Sequence, residues 1–221
     1  MHSRTRRALA VSLVALAPAV AQAGAPLTCF PMAIGDARSL AWGTGSGWNT
    51  PDPAYDRAHL TADTLALLGP RTPVLVRMET LRRAMIYASA DDAAAKRLFD
   101  ALRARAAGTG DGKVDPLFPF DLGYAVETYR QARHVLDKSP ADPPEDGYAL
   151  VRKALEARGP DPEMEYAAAL VTRGGTRNGL SDRHLRAAVA GAPEGSDLAR
   201  TLAAHRDIWG DRLRTAKAAA R

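Results

Sequence analysis

The chain has 221 residues, with 30 Lys and Arg against 25 Asp and Glu, and only one cysteine. This length is enough for one domain with a hydrophobic core. A single cysteine excludes a fold held together by disulfides within the chain. Charges of both signs are mixed along the sequence, so it has no basic block with interleaved aromatics of the kind that nucleic-acid binding requires.

Residues 1–23 have the pattern of a secretory signal peptide. Three arginines precede an apolar run at residues 8–20, and Ala21-Gln22-Ala23 forms a small-x-small cleavage site. The apolar run is too short to cross a bilayer as a stable helix. We therefore predict a periplasmic or secreted protein with no stable membrane span after cleavage. The general secretory and twin-arginine routes both remain open.

Residues 24–53 predict an irregular N-terminal arm, because glycine and proline at this density prevent regular elements. Cys29 lies close behind the predicted cleavage site and leaves three alternatives: a buried apolar residue, a lipidated residue, or a thiol that pairs between chains. Pro26 and Thr28 do not fit the positions that a lipidation signal requires, so we favour burial.

Residues 54–221 predict a single helical domain, because apolar residues recur at helical spacing. We expect about eight helices, near 55–68, 73–88, 91–107, 120–136, 146–158, 162–172, a short one from 181, and 196–219. No segment alternates with period two, so no sheet is expected. Short connections predict antiparallel α-hairpins in an all-α fold, arranged as an α-solenoid or an orthogonal stack.

Parts of this pattern resemble the tetratricopeptide family and related α-solenoids. Ala95 and Phe99 match two positions of the repeat, and Leu185, Ala188 and Pro193 match three positions in another stretch. The Trp-Leu-Gly-Tyr positions of the first repeat helix are not matched. The two halves of the chain also show no self-similarity at a fixed period. The resemblance implies a stack of α-hairpins.

The glycine-rich stretch from Trp42 to Trp48, followed by Asn49, is a candidate ligand-binding site. Glycines let a backbone approach a ligand closely, and indole faces stack on sugars or aromatic rings. The stretch lacks the lysine and the preceding strand of a phosphate-binding loop. The alternative is a flexible loop whose two indoles pack against the helical body.

Glu79, Arg82 and Arg83 form a second candidate site on one predicted helix. Their spacing brings both guanidinium groups within reach of the carboxylate. Three interpretations remain open: exposed ion pairs, a buried network between helices, and a functional carboxylate.

His59 shares a predicted helix face with Asp56 and Asp63, which is a candidate metal-binding arrangement. A metal site needs further ligands from a second element, and the sequence indicates none. We therefore predict neither a metal nor a cofactor. No serine or cysteine lies in a nucleophile motif, so catalytic residues remain unassigned.

These observations favour a non-enzymatic exported scaffold or binding module that presents a groove to another exported protein or peptide. The competing hypothesis is a periplasmic all-α hydrolase that acts on the cell wall or another polymer, with carboxylates such as Glu79 as acid or base. Such a hydrolase needs paired carboxylates in a cleft. A Glu79 sealed between helices by arginines would therefore argue against it.

Overall fold

A computed structural model describes residues 27–45, 47–108, 114–136, 143–173 and 177–220. The predicted signal peptide, the first three residues of the predicted arm and Ser46 lie outside the described residues. Within the described ranges the chain contains no strand, and its α-helices are α1 Leu60–Leu67, α2 Val74–Ala88, α3 Asp92–Ala107, α4 Leu117–Val135, α5 Gly147–Arg158, α6 Pro162–Val171, α7 Asn178–Gly191, α8 Asp197–Ala204, α9 Arg206–Trp209 and α10 Asp211–Ala219. None of these helices is long and apolar enough to cross a membrane.

The all-α prediction is confirmed, and the first seven predicted helices correspond to α1–α7, although α7 begins at Asn178 rather than near 181 and has 14 residues instead of being short. Helix α1 starts later than expected, because Asp56 caps a short 3-10 turn that precedes it. Helix α4 starts earlier, at Leu117, because Pro119 lies in the first turn, where its missing N–H is not needed. The structure divides the eighth predicted helix into α8, α9 and α10. Gly210, with a φ of +56°, separates the last two.

Helix α2 is the centre of the fold. Every one of its 15 residues except Arg83 is buried. Helices α1, α3, α4 and α6 all pack against it. In a linear solenoid each repeat contacts only its neighbours, so packing around one central helix fits the orthogonal stack better.

Two α-hairpins, α4–α5 and α6–α7, complete the body, and α10 packs on α7. Helices α4 and α5 approach most closely at Gly123 and Gly147. A Cβ added to either glycine would lie 2.5 Å from the carbonyl oxygen of the other. Both positions therefore require glycine, since real Cβ contacts are not this short.

The N-terminal arm, residues 27–53, begins with a 3-10 turn at Leu27–Cys29 and is otherwise irregular, as its glycine and proline content predicts. It is part of the packed body, because Cys29, Met32 and Leu40 are buried. The backbone N–H of Ala33 donates to Thr201 Oγ1 of α8 at 2.9 Å. The arm thus bridges elements that are distant in the sequence.

Candidate functional site

Glu79 lies in the middle of α2, and donors surround its carboxylate. Arg82 donates from Nε to Oε2 and from Nη2 to Oε1, both at 2.8 Å. Arg83 Nε donates to Oε1 at 2.7 Å, and the backbone N–H of Met32 donates to Oε2 at 3.0 Å. The Glu79 side chain is only 1% exposed. Of the three interpretations, the structure shows the buried network, although its members come from α2 and the arm rather than from two helices.

The electrostatics of Glu79 follow from these partners. Burial acts to raise the pKa of Glu79, but the hydrogen bonds and positive charges of Arg82 and Arg83 outweigh burial and hold the pKa below its ordinary value. A sealed, ionised carboxylate that already accepts four hydrogen bonds is poorly placed to exchange a proton with a substrate. This geometry argues against Glu79 as the acid or base of a hydrolase.

The same two arginines fasten the N-terminal arm to α2. Arg82 Nη1 donates to the carbonyl oxygens of Cys29 at 3.1 Å and Trp48 at 2.8 Å. Arg83 Nη1 donates to the carbonyl oxygen of Leu40 at 2.6 Å. The guanidinium groups therefore bind carbonyl oxygens in the main chain of the arm. These charge-assisted hydrogen bonds do not depend on which side chains the arm carries.

Tyr87 extends this attachment by one helical turn. Its hydroxyl donates to the carbonyl of Ala41 at 2.8 Å and accepts from the N–H of Asp52 at 2.9 Å. The Trp42 ring packs edge-on against Tyr87, with the Arg82 guanidinium 4.7 Å from the Trp42 ring centre. We define the arm clamp as the four α2 residues Glu79, Arg82, Arg83 and Tyr87.

The arm clamp accounts for the position of most predicted site residues. Trp42 and Trp48 are half-buried, and both pack against a small cluster formed by Cys29, Ile86 and Ala132. Asn49 is exposed. The structure thus brings five of the six candidates together as an attachment for the arm, and their ability to bind a ligand stays a prediction.

The structure also tests the predictions made for Cys29 and His59. Cys29 is fully buried, as the first of its three alternatives requires, and burial raises the pKa of its thiol to about 12. His59 Nε2 lies 3.6 Å from Asp56 Oδ2 on the surface, whereas Asp63 accepts a hydrogen bond from Tyr55. The described residues contain no group of three His, Cys, Asp or Glu side chains suited to a metal ion.

His205 is a second anchor for the arm. Its Nε2 donates to the carbonyl of Pro31 at 2.9 Å, and its Nδ1 accepts from the Tyr166 hydroxyl at 2.6 Å. Trp209 Nε1 in turn donates to that hydroxyl at 3.0 Å. Burial lowers the pKa of His205. The neutral ring, with one donor and one acceptor nitrogen, matches both of its partners.

A second tyrosine–histidine pair joins α5, α6 and α7. The Tyr148 hydroxyl lies 3.0 Å from His184 Nε2, and Glu165 Oε2 lies 2.5 Å from His184 Nδ1. Hydroxyl, imidazole and carboxylate follow in the order of a nucleophile, a base and its orienting acid. Tyr148 and His184 are both buried, so the arrangement also serves as a tie between three helices.

A groove of about 480 Å³ lies at the N-terminal end of α2, where the loop 69–73 meets the starts of α6 and α8. Its apolar walls include Val74, Leu117 and Leu198. We call it the proline groove, because five prolines line it: Pro70, Pro73, Pro160, Pro162 and Pro193. Proline fixes φ, so the walls of the groove have little conformational freedom.

Two carboxylates of the proline groove are already engaged by backbone N–H groups. Glu163 Oε2 accepts from the N–H of Leu75, at the start of α2, at 3.0 Å. Asp161 Oδ1 caps α6 by accepting from the N–H groups of Glu163 and Met164, both at 3.1 Å. Burial raises the pKa of Glu163 above its ordinary value, although the hydrogen bond from Leu75 lowers it.

A second depression, of about 660 Å³, lies between the loop 69–73, the arm and the end of α1. It shares Pro70 to Pro73 with the proline groove, so the two depressions adjoin at this loop. Arg38 of the arm and Arg71 of the loop are exposed there. Within the part of the chain that the structure describes, no ion pair joins either arginine to a carboxylate. We call this depression the arginine depression.

Sequence reasoning missed the proline groove. In the sequence Pro70, Pro73 and Pro160 are local signals for helix starts and stops, and Pro193 matches a repeat position. Their convergence is a tertiary feature, because the lining residues come from several separate segments. A concentration of prolines at successive helix ends is the signal that could have indicated it.

The chain matches no protein-family model, no curated protein and no solved structure.

Proposed function

We propose that the protein is a helical binding module that holds an extended segment of a partner protein or peptide in the proline groove. The observation that supports this best is the groove itself. Its volume of about 480 Å³ lies within the usual range for binding pockets, and its walls combine apolar side chains with a few polar groups.

The rigidity of the groove favours binding. Ordering a flexible site costs free energy on association, and a preformed site avoids much of that cost. Proline rings also expose apolar faces without a backbone N–H, so they suit contact with apolar or aromatic side chains of an extended partner. The groove carboxylates accept hydrogen bonds from helix N-termini, which supports a binding role over acid–base chemistry at this site.

We also propose that the protein is exported and acts in the periplasm or outside the cell, on the pattern of residues 1–23. The partner is then another exported protein or peptide, and the proposal requires neither nucleic acid nor a cofactor. It does not depend on true tetratricopeptide repeats. Mass spectrometry of protein purified from its natural host tests export, with a mature chain starting near Gly24 as the expected result.

Selection of short random peptides on the purified protein tests the binding proposal. Pro193 is exposed at the groove rim, so the Pro193→Trp variant places an indole in the groove without disturbing the core. We expect selected peptides to bind this variant at least about tenfold more weakly than the unmodified protein, a loss of about 1.4 kcal/mol. Fluorescence anisotropy measures the affinity.

Pro144→Trp is the matched control, because Pro144 is also exposed but does not line the groove. It should bind the selected peptides as the unmodified protein does. Equal binding by Pro193→Trp and Pro144→Trp would show that the groove is not the site. Circular dichroism melting of both variants confirms that each is folded.

The competing proposal is a hydrolase of cell-wall or other polymers. The arrangement of Tyr148, His184 and Glu165 is the one that favours it, because it places a hydroxyl beside a carboxylate-held imidazole. Incubation with purified cell-wall polymer, followed by chromatography of released fragments, tests it. Turnover that falls at least about a hundredfold in His184→Gln would support this alternative over the binding module.

A further inference from the structure

We infer that the partner segment carries an Asp or Glu side chain beside its apolar residues, and that Arg38 and Arg71 bind this carboxylate. The inference rests on the proposed function and names the chemistry of the partner. It starts from the residues that the two depressions share: Arg71 lines both the proline groove and the arginine depression, and Arg38 lines the second.

The charges of this surface are complementary to an acidic segment. In the proline groove Asp161 lies 3.5 Å from Arg158 and also caps α6, and Glu163 accepts the N–H of Leu75. These carboxylates therefore have partners within the fold. The arginine depression has two exposed guanidinium groups and no acidic residue in its lining. A carboxylate of the partner would neutralise part of this positive charge.

Arg71 is carried by a loop with a fixed backbone. The fully buried Arg77 donates from Nε to the carbonyl of Thr72 at 3.1 Å and from Nη2 to the carbonyl of Gly69. The Thr72 hydroxyl donates to the carbonyl of Leu67 at 2.8 Å. Arg77 is itself held by Asp121 at 2.5 Å. The backbone on both sides of Arg71 is thus fastened to the core.

Arg38 is held in an equivalent way from the arm. Its neighbour Ser39 hydrogen-bonds Thr80 of α2 at 3.1 Å, and the carbonyl of Leu40 accepts from Arg83 of the arm clamp. On the other side, Ala37 N–H closes a turn onto the carbonyl of Ile34 at 3.1 Å. The arm clamp therefore fixes the backbone that presents Arg38. The charged residues of the clamp on α2 thus help to position the binding surface.

Two guanidinium groups on fixed backbones suit a carboxylate, because their planar fork of donors matches its two oxygens. The ligand that fits is an extended segment with an apolar or aromatic side chain in the proline groove and an acidic side chain in the arginine depression. A partner of this kind would also associate faster at low ionic strength, since exposed charges steer the encounter.

The peptides selected on the unmodified protein supply the test. We expect Asp or Glu to be enriched next to apolar residues. A synthetic selected peptide with an amidated C-terminus should bind the double variant Arg38→Gln/Arg71→Gln about tenfold more weakly, and its analogue with Asn or Gln in place of the acid should lose affinity for the unmodified protein by a similar factor. The affinity of the acidic peptide should also fall as salt is raised.

Arg97→Gln/Arg186→Gln is the charge-matched control, because both arginines are exposed on other helices. Peptides that depend on the groove in the Pro193→Trp comparison, but show no acidic enrichment and bind Arg38→Gln/Arg71→Gln normally, would overturn this inference and leave the binding proposal intact. Peptides that bind Pro193→Trp normally would overturn the binding proposal itself. Enrichment of basic residues would also contradict the inference.

Discussion

Glu79 of α2 and Glu163 of α6 both tie α2 to another segment, and their pKa values shift in opposite directions. Each accepts a backbone N–H from another segment at 3.0 Å, from Met32 in one case and Leu75 in the other. Burial acts to raise both pKa values. Arg82 and Arg83 reverse that effect at Glu79, whereas the hydrogen-bond donors at Glu163 are backbone N–H groups that leave its pKa raised. The comparison shows that at Glu79 the two guanidinium groups, and not burial, decide the direction of the pKa shift.

The largest expected effect comes from removing Glu79. Glu79→Ala leaves the fully buried Arg82 without its counter-charge, and loss of one partner of a buried pair costs about 3–5 kcal/mol. Urea denaturation at neutral pH measures the change in the free energy of unfolding.

Glu156→Ala is the control for this prediction. Glu156 pairs with Arg152 at 2.6 Å on the exposed face of α5, and such a pair contributes about 0.2–0.5 kcal/mol. A Glu79→Ala variant that loses no more stability than Glu156→Ala would show that the arm clamp does not stabilise the fold.

Tyr87→Phe should have the next largest effect. It removes the hydroxyl that joins Ala41 and Asp52, and the two lost hydrogen bonds contribute about 0.5–1.5 kcal/mol each. Limited proteolysis should also cut the arm faster than in the unmodified protein. Tyr55→Phe, which removes one hydrogen bond to the Asp63 side chain, should leave the rate of arm cleavage unchanged.

Stability at acid pH distinguishes the two glutamates. The pKa of Glu79 is lower in the folded protein than its ordinary value of 4.5, so the unfolded chain binds protons more readily there. The stability that Glu79 contributes is therefore present above that value and is lost as pH falls through the folded pKa. Urea denaturation from neutral pH to about pH 3 should show this loss. Glu79→Gln should be less stable at neutral pH and lack this part of the acid slope.

Glu163→Gln should have the smallest effect on the free energy of unfolding. The pH dependence at this position should run in the opposite direction to that at Glu79. The pKa of Glu163 is raised in the folded protein, so the stability associated with its neutral form is lost as pH rises through the folded pKa. The amide keeps an oxygen acceptor for Leu75, and the change at neutral pH is no more than about 1 kcal/mol. The variant should gain stability relative to the unmodified protein as pH rises. A relative loss would contradict the raised pKa.

The helices could be predicted because their signals are local. Asp91, Asp146, Asp161 and Ser196 each accept N–H groups at the start of a helix, and residues of these types at such positions are strong start signals. The ion pairs of Glu79 were also local, since they follow from spacing along one helix. The burial of Glu79 was not, because it depends on what covers α2.

The rest of the site depends on contacts that no short window contains. Arg82 reaches the carbonyl of Cys29 across 53 positions, and the Tyr148 hydroxyl meets His184 across 36. In the sequence His184 is a lone histidine, and Arg82 is one arginine among many. Their partners become visible only once the helices are packed.

The long reach of the arm sets an order of events during folding. The carbonyl of Pro31 accepts from His205, 174 positions later, and the N–H of Ala33 donates to Thr201, 168 positions later. The arm is synthesised before both anchors, because both lie later in the chain. Contacts between such distant residues form late, because closing a long loop costs entropy before any contact forms. The arm can therefore reach its final position only after α8 and His205 have been synthesised and packed.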